Sequence, residues 1–185
     1  AYSMQRYFIL IHLIFCTIFC IAQPRVVAHR GFWRTEGSAE NSIVSLQKAA
    51  EIGCWGCEFD VWLTADGVPV VYHDATIEGI RIEDTTFASI MNHRLQNGEI
   101  VPTLQQYLQE ARRHPHCRLI FEIKPHRNAK REGMISELSV ELVNMLGLAN
   151  RTDYILLAKT SAKGLIPGIS RDDILNLILP LPSEK

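Results

Sequence analysis

The sequence predicts an α/β fold built on a parallel sheet. Two observations predict it. Apolar extended runs alternate with amphipathic helical runs, and such alternation gives parallel strands joined by crossovers. The charged and titratable residues gather where the extended runs end, and chemistry collects at the C-terminal strand ends of such sheets. The chain has 185 residues and a net charge of −1, which suits one ordinary globular domain and points to no polyanionic partner.

The first strand is read at Arg25-Val26-Val27-Ala28, ending in His29-Arg30-Gly31. A loop from Phe32 to Glu40 follows, and Asn41 or Ser42 is expected to cap a helix carrying Ile43, Leu46, Ala49, Ala50 and Ile52. Cys57-Glu58-Phe59-Asp60-Val61-Trp62-Leu63 reads as the central strand, and Asp66-Gly67 turns it into Val68–Tyr72 as a hairpin. Residues 75–102 read as a long functional loop with a short helix near Phe87–Met91. Thr103 caps a helix to about Arg113, Arg118–Lys124 is a strand, Ile135–Leu146 lie on a helix, and Tyr154–Leu157 form another strand.

Both ends of the chain have a different character. Arg6 precedes an apolar run from Tyr7 to Ala22, with Cys20 and Ala22 at the −3 and −1 positions of a cleavage site before Gln23. This reads as a signal peptide over residues 1–22, with Ala1-Tyr2-Ser3 as upstream residues and an exported chain starting near Gln23. A retained anchor is the alternative reading; the run is shorter than the roughly 20 residues of a membrane span. Cys54 and Cys57 form a C-x-x-C motif, read as two small residues packing beside the buried strand. With no second such motif there is no zinc signature.

Side chains repeat every two residues along a strand, so Glu58 and Asp60 leave one face together. Glu122 and Lys124 repeat that spacing on a second strand. Glu58, Asp60 and Glu122 together supply oxygen ligands for one divalent cation, Ca²⁺ or Mg²⁺. Arg30 and Lys124 offer positive charge for an anionic substrate. His29 and His73 titrate near neutrality on either side of the acids. A hard cation, two fixed charges and two imidazoles suit cleavage of a phosphodiester. His93, His114, His116 and His126 are read as solvated.

These residues stand in a longer series: His29-Arg30-Gly31, Glu40-Asn41-Ser42, Gly53, Glu58-x-Asp60-Val61, Thr64-x-Asp66-Gly67, Val71-x-His73-Asp74, Pro102-Thr103-Leu104 and Glu122-x-Lys124. In this order and spacing they resemble the glycerophosphodiester phosphodiesterases over residues 25–156, with Ala39 where that family usually has proline. The resemblance implies a TIM (β/α)8 barrel and metal-dependent release of sn-glycerol 3-phosphate and an alcohol from a small-molecule glycerophosphodiester. It implies acid/base roles for His29 and His73, metal ligation by Glu58, Asp60 and Glu122, and phosphate contacts from Arg30 and Lys124. It also implies that the segment after Asp74 caps the site.

Residues 23–157 are therefore expected to form a partial barrel. A complete one takes roughly 250 residues, and the pattern here supplies about four of its eight strands. An open sheet edge would favour self-association. Residues 158–185 read as a tail foreign to the barrel. Its Gly-rich loop, Ile169-Ser170 turn, Asp172-Asp173 and closing Ile178-Leu179-Pro180-Leu181-Pro182 resemble the end of a target-recognition domain in type I restriction specificity subunits. A divergent barrel tail is the other reading. Two further functional readings follow: an inactive fragment or fusion, and a DNA-recognition remnant. No nucleic-acid partner is expected, because nothing basic accompanies the tail.

Overall fold

The structure, a computed structural model, describes residues 25–156. The expected signal peptide and the tail lie outside the described residues. Among those described, no helix is long and apolar enough to cross a membrane.

The central sheet holds four parallel strands in the order β1-β2-β6-β7: β1 (Val27–Ala28), β2 (Gly56–Leu63), β6 (Arg118–Ile123) and β7 (Thr152–Leu156). β3 (Pro69–Val71) folds back antiparallel on the end of β2, pairing Val61 with Val71. The Asp66-Gly67 turn makes this hairpin. Thr64 Oγ1 donates to Asp66 Oδ1 at 2.6 Å and accepts from Val68 N at 2.9 Å, and Gly67 takes the left-handed φ of 81° that the turn demands.

Helix α1 (Ile43–Glu51) crosses from β1 to β2. Ser42, not Asn41, caps it, accepting from Ser45 N at 3.0 Å. Residues 75–101 are more ordered than a loop. They hold the hairpin β4 (Thr76–Ile77) and β5 (Ile80–Arg81) and the short helix α2 (Phe87–Ile90). Asp66 Oδ1 accepts from Phe87 N at 2.9 Å, so the hairpin turn also anchors α2. Helix α3 (Leu104–Ala111) opens on a Thr103–Gln106 capping box. Helix α4 (Ala129–Met145) begins six residues before the expected Ile135. Its first turns carry Lys130, Arg131, Glu132 and Gly133, which show no apolar period; the Asn128 cap starts the helix instead, accepting from Lys130 N at 2.9 Å.

The two faces of β2 diverge. Cys57, Phe59, Val61 and Leu63 enter the main core with Leu46, Leu104, Tyr107, Leu108, Phe121 and Ile135, all fully buried. Phe59 stacks on Tyr107 at 4.6 Å and meets Phe121 edge-on at 4.9 Å. Each such side chain is worth about 2 kcal/mol in burial, so this layer fixes the strands rigidly. The expected inward packing of the cysteines holds: Cys54, Cys57 and Cys117 are free and buried, and burial pushes the Cys57 thiol far up and that of Cys117 up to about 11. On the other face Glu58 and Asp60 line the site, and Trp62 packs in a second core with Ala39, Val70, Ile77, Ile82, Ile90, Leu95 and Val101. Residues 75–101 are thus bolted down beside the site. The Glu99 carboxylate strengthens this by accepting from Ile43 N at 2.9 Å and Val44 N at 3.3 Å at the start of α1.

Candidate active site

The site is built where β1, β2 and β6 end. β1 stops at His29-Arg30-Gly31, a turn that runs through two left-handed residues, Arg30 at φ 57° and Gly31 at φ 80°. A Cβ on Gly31 would lie 2.2 Å from Ser45 Oγ, so only glycine lets α1 pack this closely. The turn aims the Arg30 N–H into the site, where it donates to Glu58 Oε2 at 2.8 Å.

Asp60 and Glu122 are register partners on β2 and β6, and Glu58 lies one pleat back. One oxygen from each of Glu58, Asp60 and Glu122 falls within 4.8 Å of the others. Glu58 and Asp60 are buried, and Glu122 is half-buried. Burial first, and the Asp60 charge second, push the Glu58 carboxyl well above the usual range. Glu58 Oε1 and Asp60 Oδ1 are both buried without a hydrogen-bond donor. An unpartnered Glu58 oxygen, and an Asp60 oxygen whose one close contact is the Lys124 ammonium, stand beside a third carboxylate and fit a hard divalent cation, and the all-oxygen donor set suits Ca²⁺ or Mg²⁺.

Lys124 and Arg30 already face this cluster. Lys124 Nζ donates to Glu122 Oε1 at 2.6 Å and lies 2.7 Å from Asp60 Oδ1, as an ion pair off the hydrogen-bonding line. Burial alone would lower the lysine pKa, but its partners Asp60 and Glu122 raise it. Arg30 pairs with Glu40 at 2.8 Å and brings Nε to 3.7 Å from Asp60 Oδ2.

The two expected histidines stand at the rim. His29 Nε2 lies 3.8 Å from Glu58 Oε2, with more than half its side chain open to solvent. Partial burial and the Arg30 charge hold its imidazole below the ordinary value. His73, at the end of β3, places Nδ1 2.7 Å from Asp74 Oδ1, and its carbonyl accepts from Trp62 Nε1 at 3.1 Å. Asp74 thereby orients the ring and leaves Nε2 for chemistry.

Three residues beside these take parts that spacing alone did not show. Asn41 is buried against Asp60, its amide bonded to both the carboxylate and the backbone. Glu40 is the partner of Arg30. His126, expected to be solvated, is 7% exposed. Its Nδ1 donates to the Lys124 carbonyl at 2.8 Å, its Nε2 accepts from Leu63 N at 3.0 Å, and its ring lies 5.2 Å from Trp62. The loop after β6 folds back over β2, which no sequence period announces. His93 and His114 are likewise half-buried, against Glu78 and Glu110.

A parallel α/β sheet with three carboxylates and two histidines near its strand ends defines the class: an α/β fold whose candidate site lies at the carboxyl ends of its parallel strands. Residues 29–162 match the model of the glycerophosphoryl diester phosphodiesterase family, and the chain belongs to that family. The mouse protein glycerophosphodiester phosphodiesterase 1 is 35% identical over 124 residues, which are 57% of this chain and 37% of the mouse protein. A crystal structure of a glycerophosphodiester phosphodiesterase from Parabacteroides distasonis is 51% identical, with a TM-score of 0.71 over 72% of this chain and 56% of that one. An Oleispira antarctica phosphodiesterase, solved with the product sn-glycerol-3-phosphate, is 28% identical, with a TM-score of 0.59 over 72% of this chain and 56% of that one. The solved relatives are TIM barrels, and the described strands correspond to part of one. The chain spans about 40% of the length of the curated relatives it matches first.

Proposed function

We propose that this chain hydrolyses glycerophosphodiesters to sn-glycerol 3-phosphate and an alcohol. The observation that carries the reading is the meeting of Glu58, Asp60 and Glu122 within 4.8 Å at strand ends, with His29 3.8 Å from that cluster. The relatives' names and the product in the Oleispira structure support the substrate class.

In this reading Glu58, Asp60 and Glu122 hold one Ca²⁺ or Mg²⁺, which when bound neutralises charge on the phosphodiester. Arg30 and Lys124 bind the phosphoryl oxygens as the ester displaces part of their present pairing with carboxylates. One of His29 and His73 accepts the proton of the attacking water, whose oxygen bonds to phosphorus. The other gives a proton to the departing alcohol oxygen as the P–O bond breaks. His29, held below its usual pKa, is largely unprotonated at neutral pH and ready to accept.

The test is release of sn-glycerol 3-phosphate from a glycerophosphodiester by the full chain with Ca²⁺ or Mg²⁺. Product is expected with one of these cations and is lost on adding EDTA or on Glu122→Gln. Absence of product with both cations overturns the proposal. Export is a further part of it, resting on Arg6 and the apolar run to Ala22. A chain that stays inside the cell with residues 1–22 still attached would refute that part.

A further inference from the structure

We infer that Asn41 is a positioning residue for the cation site: its side-chain amide holds Asp60 so that only Oδ1 is presented. This rests on the proposed metal role of Asp60.

The argument starts from a gap in the sheet. β1 pairs with β2 only as far as Ala28 opposite Cys57, and β3 pairs with it only from Val61 onward. Asp60 therefore has no strand beside it on that edge. Its carbonyl is taken by Tyr72 N at 3.0 Å, but its N–H has no strand partner. Asn41 Oδ1 fills that place, accepting from Asp60 N at 3.1 Å. The other half of the same amide, Nδ2, donates to Asp60 Oδ2 at 2.8 Å. One planar group thus grips both the backbone and the carboxylate of a single residue, and so locks the side-chain torsion between them.

The chemistry of the amide matters as much as its place. It is neutral, so it fixes the carboxylate without competing with a cation for charge. It occupies Oδ2 and leaves Oδ1, the buried oxygen that in the cation-free chain faces only the Lys124 ammonium, at 2.7 Å. Asn41 itself is 1% exposed and sits at φ 59°, with its N–H donated to the Arg30 carbonyl at 3.0 Å. Asparagine is among the few residues with a side chain that tolerate this left-handed conformation. Backbone conformation, amide chemistry and burial all converge on one residue type. Groups that orient metal ligands in this way typically change metal affinity 10–100-fold when removed.

Asn41→Gly is the variant of choice, because it keeps the left-handed backbone and removes only the amide. Calorimetric titration of the full chain with Ca²⁺ and Mg²⁺ is expected to show affinity reduced about 10–100-fold, with the cation-free unfolding midpoint changed far less. A folded variant that binds the cation as tightly as wild type overturns the inference. If the variant does not fold, the wild-type chain decides. The Asn41 side-chain amide resonances are expected to shift on cation addition and to exchange slowly with solvent. Resonances that ignore a cation shown to bind overturn the inference. A wild-type chain that binds no cation overturns the metal reading itself, so the two failures are distinguishable.

Discussion

Lys124 Nζ stands 2.7 Å from Asp60 Oδ1, the carboxylate oxygen that the Asn41 amide leaves open. The lysine also donates to Glu122 at 2.6 Å, so one ammonium serves two of the three clustered acids. In the cation-free chain it is their main counter-ion. Lys124→Met leaves the Asp60 and Glu122 carboxylates without their nearest cation, and it is expected to cost about 3 kcal/mol of stability. The same variant is expected to gain more from added Ca²⁺ or Mg²⁺ than wild type does, because the cation replaces the missing charge. Thermal unfolding with and without the cation checks both statements. Equal cation-induced shifts in the two proteins would remove the lysine from this role.

His126 predicts a pH dependence of stability. Its Nε2 accepts the Leu63 N–H and therefore must be unprotonated, and burial holds its pKa below the usual 6.5. The folded chain binds this proton less readily than the unfolded one. The contribution is thus complete above pH 6.5 and is lost as the pH falls below 6.5 through the folded value. Denaturant unfolding from pH 8 to pH 5 is expected to show a fall that is shallower in His126→Gln. Parallel curves would show that the imidazole does not titrate against the fold.

Period two along β2 and β6 was enough to place Glu58, Asp60, Glu122 and Lys124 on one side, and the strand ends showed where His29 and His73 belong. Those statements need only local geometry, and for Glu58 and Asp60 the core agrees by taking Cys57, Phe59 and Val61 on the opposite face of β2. By residue type Asn41 and Ser42 are equally good helix caps, and the motif Glu40-Asn41-Ser42 does not say what Asn41 touches. The choice between them is made by the gap between β1 and β3, a tertiary feature. His126 looked solvated because it follows a proline in a loop, and Glu99 gave no sign that it reaches α1. Long-range pairings of polar groups leave no period in the sequence. The short helix at Phe87 is legible in residues 75–101, but the β4–β5 hairpin is not: the apolar residues there are spaced irregularly and find one another only around Trp62.

The two rim histidines predict a separation by leaving group. His29→Ala and His73→Ala are each expected to lower hydrolysis of an alkyl glycerophosphodiester by about 10²–10⁴-fold. With a p-nitrophenyl ester the leaving oxygen needs no proton. The variant lacking the acid is then expected to recover most of its rate, and the variant lacking the base is not. Measuring kcat/KM for both esters assigns the roles. Recovery in both variants, or in neither, would contradict a division of labour between the two imidazoles.

The turn at Gly31 predicts a sharp contrast among glycines. Gly67 and Gly31 both have φ near 80°, so an alanine at either meets the same backbone penalty of about 1–2 kcal/mol. Around Gly67 nothing lies within 4 Å of a new Cβ. At Gly31 the Cβ would lie 2.2 Å from Ser45 Oγ, 2.6 Å from Ser45 Cβ and 2.8 Å from the Ser45 backbone carbon. The side chain of Ser45 cannot simply rotate away, because backbone is part of the clash. Gly31→Ala must push the turn off α1, and with it the Arg30 N–H that bonds Glu58. Its cost is expected to exceed about 3 kcal/mol, against about 1–2 for Gly67→Ala. Cation affinity should fall in the first variant only. Adding Ser45→Gly to Gly31→Ala relieves the two side-chain contacts but not the backbone one, so the double variant should recover only part of the loss. Full recovery would show that the turn tolerates a side chain, and that packing against the Ser45 side chain alone keeps the position glycine.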